Sequence, residues 1–433
     1  MLKTYSSRVV ARHGLRHTAV VVHRWVGLGI ALFLILVGLT GSLIAFNDEL
    51  EAWFSPQLFR VTPPVTGAVR IDPFELRERV LQRYPGRAIN WVDLPPQADF
   101  DHTVSYGLEL APDSGSVLAN SLDSQDNQVF VNPYNGAIVG QRLTGDISQG
   151  WKNFMPFVYS LHYSLALGTV GSYVLGIVAL LWTLDCFVGF YLTLPMRKIQ
   201  QNRPSVVVHD LIVRAWPIWL RRWLPAWKLR WNGGSHKVVF DLHRAGGLWV
   251  WAMLFVFAWS SVGFNLSAVY QPVMRLLIPY SVPEEIQIKS TTALLVPPIG
   301  WQAARRLAAA TMAQQAKEKG FVIRRERSIS YNPNRGLYEY RTLSTLDVGD
   351  KSGNTRLFID ATDGRLVRLD LPTGVKAGNT VDTWLMALHT ATVWGLPMQI
   401  FVSLMGGMIV ILSVTGIIIW WRKYKARTVA RQA

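Results

Sequence analysis

Four stretches of this chain are long and apolar enough to cross a bilayer, and they restrict its folding more than any other feature. They cover residues 25–46, 170–194, 246–269 and 398–421. A hydrocarbon core of about 30 Å needs roughly 20 helical residues. Asp185 is the only charged residue inside the four runs. Backbone polar groups in lipid must be satisfied within the segment, so each run has to be a helix. The fold class is therefore a membrane protein with a four-helix transmembrane bundle. The 18 Trp of the 433-residue chain suit the aromatic belts of such a bundle. A basic segment followed by an apolar run is also the pattern of a signal peptide. Here the run is too long, and "GSLIAFNDELEAW" offers no clean small-residue cleavage site, so it reads as an uncleaved first span.

Charge sets the expected orientation. Residues 1–24, 195–245 and 422–433 carry net charges of +5, +8 and +5, whereas residues 47–169 carry −6 and residues 270–397 carry +5. Short basic segments stay in the cytoplasm. The expectation is a multi-pass protein of a bacterial inner membrane, with both termini cytoplasmic and both long segments periplasmic. The overall charge of +16 is thus a consequence of topology, and no nucleic-acid partner is expected. The single cysteine, Cys186, lies in the second run, which leaves no disulfide for the outer segments.

The chain also repeats itself. His23-Arg24 matches His243-Arg244, with Gly27-Leu28 matching Gly247-Leu248. "LHYSLALG" at Leu161 matches "LHTATVWG" at Leu388, and Gly189 and Gly416 each follow the histidines of those motifs by 27 residues. Between them "VFVNPYNGAIVG" matches "LFIDATDGRLVR", aligned on Gly136 and Gly364. Each half reads as span, outer α+β unit, span. Both halves enter the membrane from the same side, which makes the repeat parallel, about an axis along the membrane normal.

The expected organisation is a basic tail (1–24), the first span (25–46), an outer unit (47–153), an interfacial helix (154–169) and the second span (170–194). A cytoplasmic loop (195–245), the third span (246–269), a second outer unit (270–383), an interfacial helix (384–397), the fourth span (398–421) and a basic tail (422–433) follow. Residues 73–84 and 301–319 have helical patterns, the first with Pro73 suited to a first turn and the second rich in Ala, Gln and Lys. Strands are expected at 88–94, 102–110, 128–131 and 137–141, and at 321–330, 337–346, 356–359 and 365–369. "NPYNG" and "DATDG" supply the hairpin turns. "APDSGSVLANSLDSQDN" and "DVGDKSGN" read as exposed loops. Gly168 with Gly171, and Gly395 with Pro397, interrupt apolar stretches too long for one span. "RAWPIWLRRWLPAWKLRW", with Trp216, Trp219, Trp223, Trp227 and Trp231 among basic residues, suits the headgroup level and anionic lipid.

Four histidines occupy matched positions. His23 and His243 belong to the cytoplasmic ends of spans one and three, and His162 and His389 to the outer ends of spans two and four. The repeat puts the two members of each pair at one depth, facing one axis. Two neutral imidazoles across a gap are what a bis-histidine haem requires. Arg24 and Arg244 suit its propionates, because a guanidinium matches a carboxylate bidentately. A histidine at a membrane boundary also serves by hydrogen-bonding a headgroup or a backbone carbonyl, but two symmetric pairs favour haem. His13, His17, His102, His209 and His236 have no such placement. Asp185, whose counterpart is Leu412, reads either as a proton relay or as a hydrogen-bond partner for a neighbouring helix. Two haem b groups, one near each face, would relay electrons across the bilayer. No cytoplasmic segment is long enough for a flavin or nicotinamide domain, and "GLGIAL" lies inside a span with no strand before it. The electron donor is then a quinol or a separate cytoplasmic reductase.

The motifs "HRWVGL…TGSLIAF", "LHYSLALG", "DLHRAGGL" and "LHTATVWG…TGIIIWW" resemble the PepSY-associated transmembrane family, over nearly the whole chain. The units ending in "NPYNGAIVG" and "DATDGRLVR" resemble PepSY domains. The resemblance implies a bacterial inner-membrane reductase of ferric siderophores, of which the ferrioxamine reductase is an example, reducing iron in the periplasm through membrane haem. It points to His23, His162, His243 and His389 as the motif histidines. It implies a ferric siderophore as periplasmic partner, held between the two PepSY-like units, with no single residue identifying the binding site. A siderophore or metal transporter built on parallel repeats, and a PepSY-type regulatory or binding module with structural histidines, are the competing readings.

Overall fold

The computed structural model describes residues 2–65, 67–94, 101–110, 127–196, 219–281, 294–351 and 353–432. The chain divides into two compact units. One, which is helical, comprises Met1–Ser42, Leu161–Tyr270 and Phe401–Ala433; the other, which carries the sheets, comprises Leu43–Ser160 and Gln271–Ile400.

In the helical unit four helices have the length and composition of membrane spans: Gly14–Ile44, Gly168–Thr193, Ser235–Asn265 and Leu396–Val429. They overrun the apolar stretches at their polar ends. The first helix begins at Leu2 and the fourth runs to Gln432, and the third starts at Ser235, directly after Gly234 at φ 77°. No proline or turn residue separates Ser235 from Gly246, so the helix extends upstream and places His243 two turns inside it. Large side chains remain exposed along the spans, among them Leu32 (75%) and Leu404 (66%), as expected of surface that meets lipid.

Small residues bring the spans together. A Cβ on Gly38 of the first span would lie 2.8 Å from the Gly406 carbonyl oxygen of the fourth. Ser42 Oγ donates to the Ser403 carbonyl at 2.8 Å in the same contact. Only glycine permits this approach, and such close backbones are how helices associate in lipid. Between the second and third spans, Trp251 Nε1 donates to the Cys186 carbonyl at 2.9 Å and its ring packs against Phe187 and Phe190. Arg16 donates to the carbonyls of Leu192 and Leu194, satisfying the open C-terminal end of the second span.

The expected interruptions are present. Helix Phe154–Ser164 stops at Leu165 and Ala166, both at φ 54°, and the second span starts at Gly168, at φ 57°. A Cβ on Gly171 would meet the Ser164 carbonyl oxygen at 1.7 Å, so that position has to be glycine. Helix Ala377–His389 stops in the same manner, with Ala391, Trp394 and Gly395 at positive φ before the fourth span begins at Leu396.

Trp219, Trp223 and Trp227 of the basic loop pack in series, the first pair tilted at 5.3 Å and the second edge-on at 5.2 Å. Trp223 Nε1 donates to Thr193 Oγ1 at 3.3 Å, and Trp249 Nε1 to the Trp227 carbonyl at 3.1 Å. This part of the loop is therefore packed onto the ends of the second and third spans. Trp216, His209 and the loop at 111–126 lie outside the described residues.

The second unit holds two antiparallel sheets. Strands β1 (Arg87–Ala88), β3 (Val104–Leu110), β4 (Asn127–Val131) and β5 (Ile138–Leu143) form one, in the order β1-β3-β4-β5. Strands β2 (Trp91–Asp93), β6 (Ile323–Asn332), β7 (Leu337–Ser344), β8 (Thr355–Asp360) and β9 (Leu366–Asp370) form the other, in the order β2-β6-β7-β8-β9. The single strand expected at 88–94 is split. Its second half crosses to the other sheet, pairing Trp91 with Ser330 and Asp93 with Ser328, while Tyr331 N donates to the Asn90 carbonyl at the crossing point.

That crossing ties the two long segments into one core. Phe74, Leu76 and Val80 of helix Pro73–Arg83, and Trp301, Ala304 and Met312 of helix Trp301–Lys319, share a continuous buried cluster with Ile89, Val92, Tyr338 and Leu357. The first helix is capped by Asp72, whose side chain accepts from Phe74 N at 2.8 Å, and Pro73 sits at the first position. The second ends at Gly320 in the left-handed conformation, a common stop for a helix. The β4–β5 and β8–β9 hairpins turn alike. Gly136 (φ 73°) donates to the Asn132 carbonyl and Gly364 (φ 75°) to the Asp360 carbonyl, both at 2.9 Å.

Candidate functional site

His23 and His243 face each other within the helical unit. Their ring centres are 6.1 Å apart and their planes make an angle of 55°. Each ring is seated by a different helix. His23 Nδ1 lies 2.9 Å from Asp185 Oδ1 on the second span. His243 Nδ1 lies 2.9 Å from the Leu412 carbonyl oxygen and 3.1 Å from Thr415 Oγ1 on the fourth. A carboxylate and a carbonyl oxygen accept, so Nδ1 donates in both rings and Nε2 is the nitrogen left for a ligand. Among the described residues neither Nε2 has a hydrogen-bond partner.

Glycines make these seats possible. A Cβ at Gly189 would lie 3.3 Å from His23 Cε1, and one at Gly416 would lie 3.2 Å from His243 Cε1. Each glycine follows the acceptor residue, Asp185 or Leu412, by one helical turn. With no side chain there, the ring can reach the acceptor. The spacing of Gly189 and Gly416 was visible in the sequence; their use as seats was not.

The spacing suits a metal-bearing group that His23 and His243 would hold between them. An imidazole nitrogen about 2 Å from a metal, and about 1.2 Å from its own ring centre, puts two rings that share the metal at most about 6.4 Å apart. The observed 6.1 Å agrees. Arg24 and Arg244 lie next in sequence, and the Nε of each is buried without a partner among the described residues. Arg24 lies over the Trp25 ring at 5.3 Å. Arg244 is already partly engaged: its Nη2 donates to Asp241 Oδ1 at 2.8 Å and to the Pro225 carbonyl at 2.9 Å.

Asp241 is a site residue that the sequence reading passed over. It is fully buried and also accepts from Arg230 Nε at 2.6 Å and Nη2 at 2.8 Å. This carboxylate locks the described part of the basic loop to the third span beside His243. Its three-residue offset from Arg244 was the available signal, since that spacing puts both on one helix face.

His162 occupies a comparable seat. Its Nδ1 is 2.9 Å from Thr40 Oγ1. Thr40 gives its own hydroxyl hydrogen to the Leu36 carbonyl, so it accepts from the ring. A Cβ at Gly41 would touch His162 Cε1 at 3.0 Å. Burial pushes the His162 pKa down to about 4, which keeps the ring neutral, as a metal ligand must be. His389 closes helix Ala377–His389 of the sheet-bearing unit. The structure thus brings His23 to His243 and seats His162 on the first span, while His389 is placed within its own unit.

The other histidines have ordinary surroundings. His17 and His236 are exposed, and His102 is paired with Asp101 at 2.9 Å. Among the described residues no three His, Cys, Asp or Glu side chains cluster as a metal centre. An apolar groove of about 500 Å³ runs between the first and second spans, lined by Trp25, Gly29, Phe33, Ile177 and Leu181. Its lining is almost wholly apolar.

Comparison with known proteins agrees with the motifs. No curated protein matches the chain. The PepSY-associated TM region matches residues 20–423, a stretch that begins just before His23 and ends just after the fourth span. The chain is therefore a member of the PepSY-associated transmembrane family.

Proposed function

We propose that the protein is a haem-bearing inner-membrane reductase that carries single electrons across the bilayer to a ferric siderophore in the periplasm. The observation that carries the reading is the His23–His243 pair, opposed at 6.1 Å with both Nδ1 atoms engaged. Two imidazoles supply only part of a coordination sphere, and no third ligand residue joins them among the described residues. The remaining ligands would come with the group, as they do with a porphyrin. Bound there, a haem b supplies a one-electron iron couple.

The chain's own residues do the rest. His23 and His243 would hold the group, with Asp185, Leu412 and Thr415 fixing the direction of the two rings. The buried Nε atoms of Arg24 and Arg244 suit the propionates. Gly189 and Gly416 leave room for the rings. His162, neutral and seated on Thr40, and His389 stand at matched motif positions in the sequence and would be the ligands of a second haem. One haem near each face would divide a core of about 30 Å into shorter transfers.

In this reading the chain is built from a parallel repeat, its termini are cytoplasmic and the PepSY-like strands are periplasmic. The charge distribution supports it. The donor is a quinol or a separate cytoplasmic reductase. Siderophores hold Fe(III) with hard oxygen donors that bind Fe(II) less well, so one electron loosens the metal.

The test is a spectrum. The protein purified in mild detergent should show a reducible low-spin haem, and His23→Ala and His243→Ala should lose the same component. His162→Ala and His389→Ala should lose a second. A colourless wild-type protein would overturn the reading in favour of a binding or regulatory module. Retention of full haem by all four variants would leave it without a mechanism.

A further inference from the structure

The two rings of the central pair are held by acceptors of different charge. His243 is oriented by neutral groups, the Leu412 carbonyl at 2.9 Å and Thr415 Oγ1 at 3.1 Å. His23 is oriented by a carboxylate, Asp185 Oδ1, at 2.9 Å. Asp185 and Leu412 stand at the same place on their helices, each four residues before the glycine against which the ring packs. The His243 seat therefore demonstrates that a backbone carbonyl is enough to orient an imidazole at this position. A carboxylate is not needed for that purpose.

A carboxylate is also expensive there. Asp185 is only 8% exposed, in a span where its neighbours are apolar, and ionisable groups in such positions are retained for function. Among the described residues the only basic side chain within salt-bridge distance of it is His23. What it adds over the Leu412 carbonyl is negative charge, delivered to one ring through one hydrogen bond. A carboxylate accepting from a ligand histidine makes that imidazole a stronger donor to its metal.

We propose that Asp185 is a positioning residue that makes the central pair electronically asymmetric and holds the reduction potential of the group bound between His23 and His243 low. The inference rests on the haem reading given above. Negative charge transmitted through His23 favours the ferric over the ferrous state of the one-electron couple. A low potential is what an electron carrier needs if it is to reduce iron held by hard oxygen ligands.

The experiment is a spectroelectrochemical titration of the full-length haem-loaded protein in detergent, comparing wild type with Asp185→Asn, Asp185→Glu and Thr415→Val. Asn keeps an oxygen that accepts from Nδ1 and removes the charge. We expect Asp185→Asn to keep the low-spin spectrum and wild-type haem content, while its reduction equilibrium moves at least tenfold toward the ferrous form. That corresponds to about 59 mV upward for one electron. The component that moves should be the one lost in His243→Ala. Asp185→Glu should return most of the shift, and Thr415→Val should shift it less than Asp185→Asn does. Loss of haem in Asp185→Asn with retention by Asp185→Glu would show that the charge serves to hold the group and not to set its potential, and would overturn the inference. Haem-bearing Asp185→Asn at the wild-type potential, or loss of haem in both Asn and Glu variants, would reduce Asp185 to a helix strut and overturn the inference. A wild-type protein without haem is a different result: it overturns the functional reading itself.

Discussion

Replacing Gly189 by alanine tests whether the histidine seat, rather than the stability of the span, sets cofactor binding. The new Cβ would stand 3.3 Å from His23 Cε1 and 3.6 Å from its Nδ1. Carbon atoms prefer separations of about 3.5–4.0 Å, so the ring must retreat by a few tenths of an ångström. That displacement acts on the 2.9 Å bond to Asp185 and on the 6.1 Å spacing to His243. A hydrogen bond to a charged group contributes about 1.5–3 kcal/mol. Alanine in place of a helical glycine gives back about 0.8–1.0 kcal/mol. A shift of a few tenths of an ångström lengthens the bond without breaking it, so only part of its contribution is lost and the helical gain offsets that part in folding; only the lengthening bears on the cofactor. Gly189→Ala should therefore melt close to wild type while its haem affinity falls about 10–100-fold, the range typical when groups around a metal ligand are disturbed. Gly416→Ala, with its 3.2 Å contact to His243, should behave alike. Gly407→Ala, which meets nothing within 4 Å, is the control. Haem per protein and the melting midpoint in detergent are the two readouts. A Gly189→Ala protein with wild-type haem content and affinity would refute the seat argument.

Further outcomes follow from other parts of the structure. Trp301→Ala removes the ring that joins helix Pro73–Arg83 to the second sheet and should cost about 3–5 kcal/mol. Because the core is shared, the sheet-bearing unit should lose its structure in one transition of the denaturation curve, not two. His162 is neutral and buried, with its pKa near 4 against an ordinary 6.5. The unfolded chain thus takes up the proton first as pH falls, so the contribution is whole above about pH 6.5 and erodes between 6.5 and 4. His162→Gln should flatten that part of a stability–pH curve. For orientation, Cys186 is buried and gives little background. A cysteine in place of the exposed Val375 should react with an impermeant reagent outside the cell, and one in place of Asn232 should not. The reverse pattern would invert the topology and overturn the proposed direction of electron transfer.

The local features of this protein were legible in its sequence because local physics dictates them. An apolar run of about 20 residues has to be helical in lipid, whatever surrounds it. Asp72 before Pro73, Gly320 after Lys319, and Gly136 and Gly364 at the hairpins each answer a backbone requirement that lies within a few residues. The matched spacing of His23 with His243, and of Gly189 with Gly416, was equally open to reading. Only the tertiary structure decided what those residues meet. Asp185 is 162 residues from His23, and Leu412 is 169 from His243. No local propensity encodes which helix supplies the acceptor, and Leu412 serves through its backbone, which its side chain does not reveal. The crossing of β2 to the second sheet has the same origin. Residues 88–94 have one strand pattern, and the chain bends at Asn90 because Val92 and Leu94 are buried against elements that follow more than 200 residues later. Burial of that kind is a property of the assembled core, which is why two long segments that read as separate units in sequence fold around one interior.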